Sequence, residues 1–245
     1  MALSSNSLIH FTERKNSLIG ILQDNFKIFY CLEHVYCKSG VFVGAVPMVS
    51  FCDIPLSEIK NHIDKYGCYG LGLKKSWAIK KGLNPVLYIE KESMIGHEFR
   101  NTAKKLLSGK NDKTLSEEGF TIINLFRYMK NYEHELIRKD KTYPNYRFSD
   151  EREWRFVPPK EDAEIIILEK LFNSQEQEDE ANGKLSNIRL EFTPDDITYI
   201  IINNESEINE FIAVLRYAKG KTYTHEQVER LITRILTTEQ IRTDI

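Results

Sequence analysis

Ser149-Asp150-Glu151-Arg152-Glu153-Trp154-Arg155-Phe156 is the stretch on which the reading of this chain turns. Side chains alternate between two faces along an extended strand. An extended run here puts Glu151, Glu153 and Arg155 on one face and Arg152, Trp154 and Phe156 on the other. The second face carries enough apolar area to pack on a core. The first sets two like charges beside a cation, and burying such a trio is costly. It is therefore either a solvated edge or the floor of a polar cleft.

On either side of this run the pattern alternates between strand and helix. Leu8-Ile9-His10-Phe11-Thr12 has the composition of a short strand, and Leu18, Ile19 and Leu22 repeat as one helical face does. Phe29 to Leu32 and Pro47 to Asp53 are further strand candidates. Pro55 suits the first turn of a helix whose apolar face is Leu56, Ile59 and Ile63. Tyr66 to Leu73 reads as a strand punctuated by glycines, which weaken it but admit another backbone or a ligand closely. Ser76 to Lys81 predicts a short helix closed by Gly82, and Pro85 to Ile89 a strand.

The spacing of Phe120, Ile123, Leu125, Phe126 and Met129 predicts helix from Glu92 to about Leu136, interrupted by a lysine-rich loop at Lys104 to Lys113. The acidic run Gln175 to Glu180 reads as a solvated loop. Ile188 to Phe192 and Ile197 to Ile202 read as strands. Asn204 to Glu207 and Thr224 to Gln227 fit capping boxes, each leading into a helix; the second helix includes Val228, Leu231, Ile232 and Ile235. This order does not repeat a βαβ unit. It predicts an α+β fold with a mixed or antiparallel sheet, a single domain over 1–245 with a mainly helical insertion at about 92–145.

The 245 residues suffice for a sizeable core, and 41% hydrophobic with 29% charged residues is a globular composition. A net charge of −2 argues against a protein held to nucleic acid by bulk charge. Lys74, Lys75, Lys80, Lys81, Lys104, Lys105 and Lys110 read first as solvated side chains and second as a local basic surface for a nucleic-acid target. The start lacks a basic segment followed by an apolar stretch, and no window approaches the roughly 18 apolar residues of a membrane span, so a cytoplasmic protein is expected. Cys31, Cys37, Cys52 and Cys68 form no CxxC pair, and the six histidines are scattered, so no metal site is expected.

Motifs for phosphate loops, dinucleotide binding, HExxH metalloproteases and GxSxG hydrolases are absent from the sequence. What remains is a combination: His10 on an early strand, Ser50 on a second, and Glu151 and Glu153 on a late one. Singly, each has an ordinary structural explanation as a hydrogen-bonding or ion-pairing residue.

Leu8 to Thr12 with Leu18 to Leu22, Pro47 to Ser57, Tyr66 to Leu73 with Trp77-Ala78, Gly82 to Tyr88 and Glu151 to Arg155 together resemble the AbiGi family. These are bacterial abortive-infection proteins described as the antitoxin half of a two-gene phage-exclusion system. The resemblance implies a partner toxin protein. More distantly, the chain is similar to ADP-ribosyltransferase folds, including DNA-modifying toxins. That similarity implies NAD as cofactor. His10 and Thr12 would hold its ribose, with Tyr69 and Arg155 also against the cofactor and Ser50 on the second motif strand. Glu153 would stabilise the oxocarbenium-like transition state and Glu151 would orient a nucleic-acid or protein acceptor. A positioned carboxylate is chemically suited to the positive charge that grows on the ribose as nicotinamide leaves, and a second can act as base. The middle motif, Ser50-Phe51-Cys52, departs from the transferase pattern.

Overall fold

A computed structural model describes residues 5–38, 40–107, 115–138 and 141–244. The chain forms two units, each built from separated stretches: 1–27, 50–83 and 189–245 make the first, and 28–49 with 84–188 the second. In chain order the first stretch carries β1 (Ser7–Thr12), α1 (Lys15–Asp24) and β2 (Phe26–Lys27). Then come β3 (Phe29–Cys37) and β4 (Gly40–Cys52), α2 (Lys60–Tyr66), β5 (Tyr69–Lys74) and α3 (Lys75–Lys80). The next stretch holds β6 (Asn84–Pro85), β7 (Leu87–Ile89), α4 (Met94–Leu107), α5 (Glu117–Arg127), β8 (Met129–Asn131), β9 (Glu133–Arg138), β10 (Lys141–Arg147), β11 (Glu153–Phe156), β12 (Ile167–Leu168) and α6 (Gln175–Lys184). The last holds β13 (Arg189–Leu190), β14 (Ile197–Ile202), α7 (Ile208–Lys219), α8 (His225–Ile232), β15 (Ile235–Thr237) and α9 (Thr238–Asp244).

In the first unit β5 lies between β1 and β14, antiparallel to both, and β15 joins β14 in parallel. Parallel neighbours need a long crossover, here supplied by α7 and α8. Thr12 lies opposite Tyr69, and His10 opposite Leu71, so these four share one face of the sheet. Tyr69 stacks on Phe211 of α7 on that face. On the other face Ile9 packs with Ile59, Ile63 and Ile241 from around α2 and α9. Covering both faces explains why β5 is buried over five successive residues. The turn after α2 depends on Gly67, which has φ 116° and donates its N–H to the Ile63 carbonyl at 2.9 Å. A Cβ at this position would overlap the Thr12 carbonyl oxygen.

In the second unit β3 pairs with β4 over nine residue pairs without a register shift. Helices α4 and α5 cover this ribbon, and Val35, Val46, Met48, Phe99, Ile123 and Phe126 meet in one core. Phe42 lies against both Phe99 and Phe126, with centroids 5.7 and 4.6 Å away. β11 pairs with β6, and β7 runs parallel to β8.

Several expectations require correction. The helical stripe ends at Arg127, and the expected helix beyond it is replaced by β8 and β9: Ile123 and Phe126 do face the core, but β8 pairs with β7 and β9 with β10. The acidic run is not a loop but α6, started by Ser174, whose side chain accepts from the Gln177 N–H. Glu176 and Glu178 in its first turn complement the helix dipole. Ile235 continues no helix; it starts β15. The expected strand from Pro85 to Ile89 splits into β6 and β7, which take different partners. The capping box at Thr224 forms with both its hydrogen bonds. Lys110 and most of the expected lysine-rich loop lie outside the described residues.

Gly67→Ala is expected to destabilise the protein by about 2–3 kcal/mol, because alanine must adopt a strained positive φ and also displace the Thr12 backbone. Urea denaturation of the variant against wild type checks this, and an unchanged midpoint would refute it.

Candidate functional site

His10 and Ser50 lie in the first unit, and Glu151, Glu153 and Arg155 in the second. His10 Nδ1 lies 2.8 Å from the Ser50 carbonyl oxygen. The acceptor is a carbonyl, so Nδ1 carries the proton and Nε2 keeps its lone pair. The contact uses the serine backbone, not its hydroxyl. Cys52 packs on the Ile9 face, and Ser50 shares its parity along β4. The Ser50 side chain therefore belongs to the face opposite His10.

The His10 ring sits edge-on to Phe26 and Phe51, at 5.2 and 5.7 Å, in a cluster that Phe192 and Trp77 extend. Burial among these rings lowers the His10 pKa more than the Ser50 hydrogen bond raises it, so the imidazole is neutral at pH 7. Tyr69 donates its hydroxyl hydrogen to Glu207 at 2.9 Å, and Lys15 ion-pairs with Glu207 and Glu210. Thr12 and Tyr69 stand directly opposite each other, on the same face as His10. The structure thus gathers three of the four candidates in this unit onto one sheet face.

In the second unit the late strand differs from its expectation in two ways. Only Glu153 to Phe156 is strand; Glu151 ends a 3₁₀ turn, and Arg152 takes a left-handed conformation with φ 45°. The burial is also inverted. Glu153 and Arg155 are buried, at 6% and 0% exposure, while Trp154 and Phe156 are only half-buried. The charged face, not the aromatic one, points inward, which rules out a solvated edge.

Partners from four other elements make this burial tolerable. Arg155 Nε donates to Glu153 Oε1 at 2.6 Å, Nη2 to Glu33 on β3 at 2.8 Å, and Nη1 to the Arg127 carbonyl at 3.0 Å. Lys130 on β8 donates to Glu153 Oε2 at 2.7 Å and lies 3.5 Å from Glu151. Its ammonium also lies 4.8 Å from the Phe148 ring centroid. The Glu153 N–H donates to the Tyr88 hydroxyl at 2.8 Å. Burial alone would raise the Glu153 pKa, but the charges of Arg155 and Lys130 outweigh it and hold the carboxyl at about 2. Burial alone would lower the Lys130 pKa, and Glu153, Glu151 and Glu33 reverse that. The carboxylates of Glu33, Glu151 and Glu153 thus face the cations of Lys130 and Arg155.

Sequence reading missed Glu33, Lys130 and Tyr88. Their spacing gives no signal: Glu33 is 122 residues from Arg155, and Lys130 sat within an apparent helix. Cavities of about 470 and 440 Å³ occur in the second unit, beside Tyr132 and His134 and beside Phe120 and Lys160, away from these acids. Among the described residues no three His, Cys, Asp or Glu side chains are placed to hold a metal, and no helix is long and apolar enough to cross a membrane.

The family model described as "Putative abortive phage resistance protein AbiGi, antitoxin" matches residues 24–203. That range includes all five charged residues of the buried cluster and excludes His10 and Thr12. The abortive phage resistance protein AbiGi of Lactococcus lactis subsp. cremoris is 30% identical over 223 residues, covering 81% of this chain and 88% of the relative. No solved structure matches the chain. The ADP-ribosyltransferase similarity gains no support from these matches.

Glu153→Gln is expected to destabilise the protein by about 3–5 kcal/mol at pH 7, since it strips Arg155 and Lys130 of their shared buried counter-charge. Glu151→Gln, whose carboxylate is farther from Lys130, should cost less. A depressed carboxyl pKa contributes stability above its unfolded value and loses it on the way down. The gap between wild type and E153Q should therefore shrink as pH falls from about 4.5 towards about 2. Denaturant titrations across that range provide the check, and a pH-independent gap would contradict the assignment.

Proposed function

Because this chain belongs to the AbiGi family of abortive phage resistance proteins, we propose that it acts in phage defence as an antitoxin that binds and restrains a partner toxin protein. One observation carries this reading. Both oxygens of Glu153 are engaged by Arg155 and Lys130 inside the second unit, and Glu151 is buried beside them. The strand that would serve a transferase instead builds a buried, ion-paired core. Such a core holds a surface in shape without offering a carboxylate to a substrate. The family description as an antitoxin agrees with it.

The second reading is ADP-ribosyl transfer from NAD to a nucleic-acid or protein acceptor, with His10, Ser50, Glu151 and Glu153 as the reacting set. What favours it is the common face of His10, Thr12 and Tyr69. In this reading Glu153 must leave Arg155 and Lys130 to meet a ribose hydroxyl, and separating a buried ion pair costs about 3–5 kcal/mol. Bound NAD has to offset that cost.

Co-expression with the product of the second gene of the two-gene system should yield a stable complex and relieve the growth arrest that this product causes alone. Incubation of the purified chain with labelled NAD and cell lysate should release no nicotinamide and transfer no label. Nicotinamide release that wild type shows and His10→Ala lacks would overturn the antitoxin reading in favour of the transferase.

A further inference from the structure

The cavity of about 470 Å³ in the second unit opens between the turn after β7 and the β9–β10 ribbon. Its room comes from a fault in that ribbon. Tyr143 faces Leu136 and Tyr146 faces His134, so Pro144 and Asn145 together stand opposite Glu135. One extra residue on a strand makes a β-bulge, which bends the strand and re-aims its side chains. Pro144 has no N–H with which to close the gap. Glu135, Pro144 and Asn145 all line the cavity.

The walls are held from behind. His134 stacks on Tyr36 with centroids 3.8 Å apart and planes 6° from parallel. Asn131 fixes Tyr36 in turn: its side chain accepts from the Tyr36 N–H and donates to the Tyr36 carbonyl, both at 2.8 Å. The Tyr132 N–H donates to the Ile89 carbonyl at 2.7 Å, and the Lys38 N–H donates to the Lys91 carbonyl at 2.7 Å. The cavity is therefore preformed, as binding sites commonly are.

Its lining selects by chemistry. Tyr132 leaves 41% of its surface exposed on one wall. Glu90 is turned back on its own chain and accepts from the Glu92 N–H at 2.7 Å. Glu133 lies 3.8 Å from Arg147. Among the described residues the Glu135 carboxylate meets no hydrogen-bond or ion-pair partner. An anion entering here would meet three carboxylates and one ammonium, that of Lys91. An apolar group would strip water from these side chains without replacing it. The acids do not converge on a metal position, since among the described residues no three His, Cys, Asp or Glu side chains are placed to hold one.

The protein itself shows which group suits this wall. The Arg147 guanidinium carbon lies 5.8 Å from the Tyr132 ring centroid, and its Nε lies 3.8 Å from Glu133. The second distance is too long for a hydrogen bond, and 53% of the Arg147 side chain is exposed. Arg147 is drawn to a ring and a carboxylate without being captured by them. A guanidinium is planar and weakly hydrated, so it stacks on a ring while its fork meets a carboxylate.

We propose that this cavity binds a guanidinium group, stacked on Tyr132 and paired with Glu135, in the role that Arg147 half fills from the rim. The site lies within the second unit and depends on neither functional reading above.

The test is an NMR titration of the isotope-labelled wild-type chain at pH 7 with a blocked Gly-Arg-Gly peptide, its citrulline counterpart and agmatine. Saturable shifts at Tyr132, Glu135 and Asn145 are expected with the arginine peptide, and about tenfold weaker binding with citrulline, which keeps the shape and lacks the charge. Glu135→Gln should weaken the arginine peptide about tenfold. Arg147→Ala should tighten it about threefold, because it removes the competing internal cation. Tighter binding of the peptide than of agmatine assigns the cavity to a protein's arginine side chain, and the reverse assigns it to a free guanidinium compound; either upholds the site. No saturable shift at these residues, or equal binding of the citrulline peptide, overturns it. So does weakening by R147A as large as that by E135Q, which would make Arg147 part of the wall. The citrulline comparison uses wild type alone and stands whether or not the variants fold.

Discussion

Arg155 is a guanidinium with no exposed surface, and much of the second unit is arranged around that fact. A guanidinium does not give up its proton within a protein, so its burial is tolerable only if every direction it points in offers a negative or polar partner. Glu153 comes from the same strand, Glu33 from β3, and a backbone carbonyl from the end of α5. Lys130 of β8 then balances the acids that Arg155 alone would leave in excess. The cluster joins elements whose apolar residues, among them Val35, Phe126 and Met129, also meet in one core. It adds directionality to that packing, because a forked donor accepts few arrangements.

The same cluster links structure to function. A carboxylate placed to stabilise positive charge on a substrate must be available to it. Here the carboxylate is already engaged by two cations, with a pKa near the bottom of its range for that reason. What the arrangement holds steady is β3, through Glu33. The outward edge of β3 carries two asparagine clamps.

How much was legible in the sequence varies by element. β1, α1, β5, β14 and the Thr224 box were readable because local apolar spacing and capping chemistry settle them. The acidic α6 was not, because its composition resembles solvated loop; a single N-cap serine and the dipole decide it. The stretch after Arg127 misled for a different reason. Its apolar residues continue a helical period, but the segment gains more from pairing with β7 and β10 than from another helical turn. At the candidate site, His10 and Ser50 do meet, through a backbone oxygen that no sequence pattern reports.

The sequence by itself determined that this is an α+β chain and that Glu151 to Phe156 holds an abnormal concentration of charge beside aromatic residues. It also determined, through its motifs, the resemblance to a phage-defence family. Only the tertiary structure decided which way that charge faces. Alternation along a strand says which side chains share a side, but not which side is the interior. That choice is accompanied by Glu33 and Lys130, distant in the chain and unremarkable in their own segments, whose charges make the burial of Glu153 and Arg155 tolerable while Trp154 and Phe156 stay half-buried.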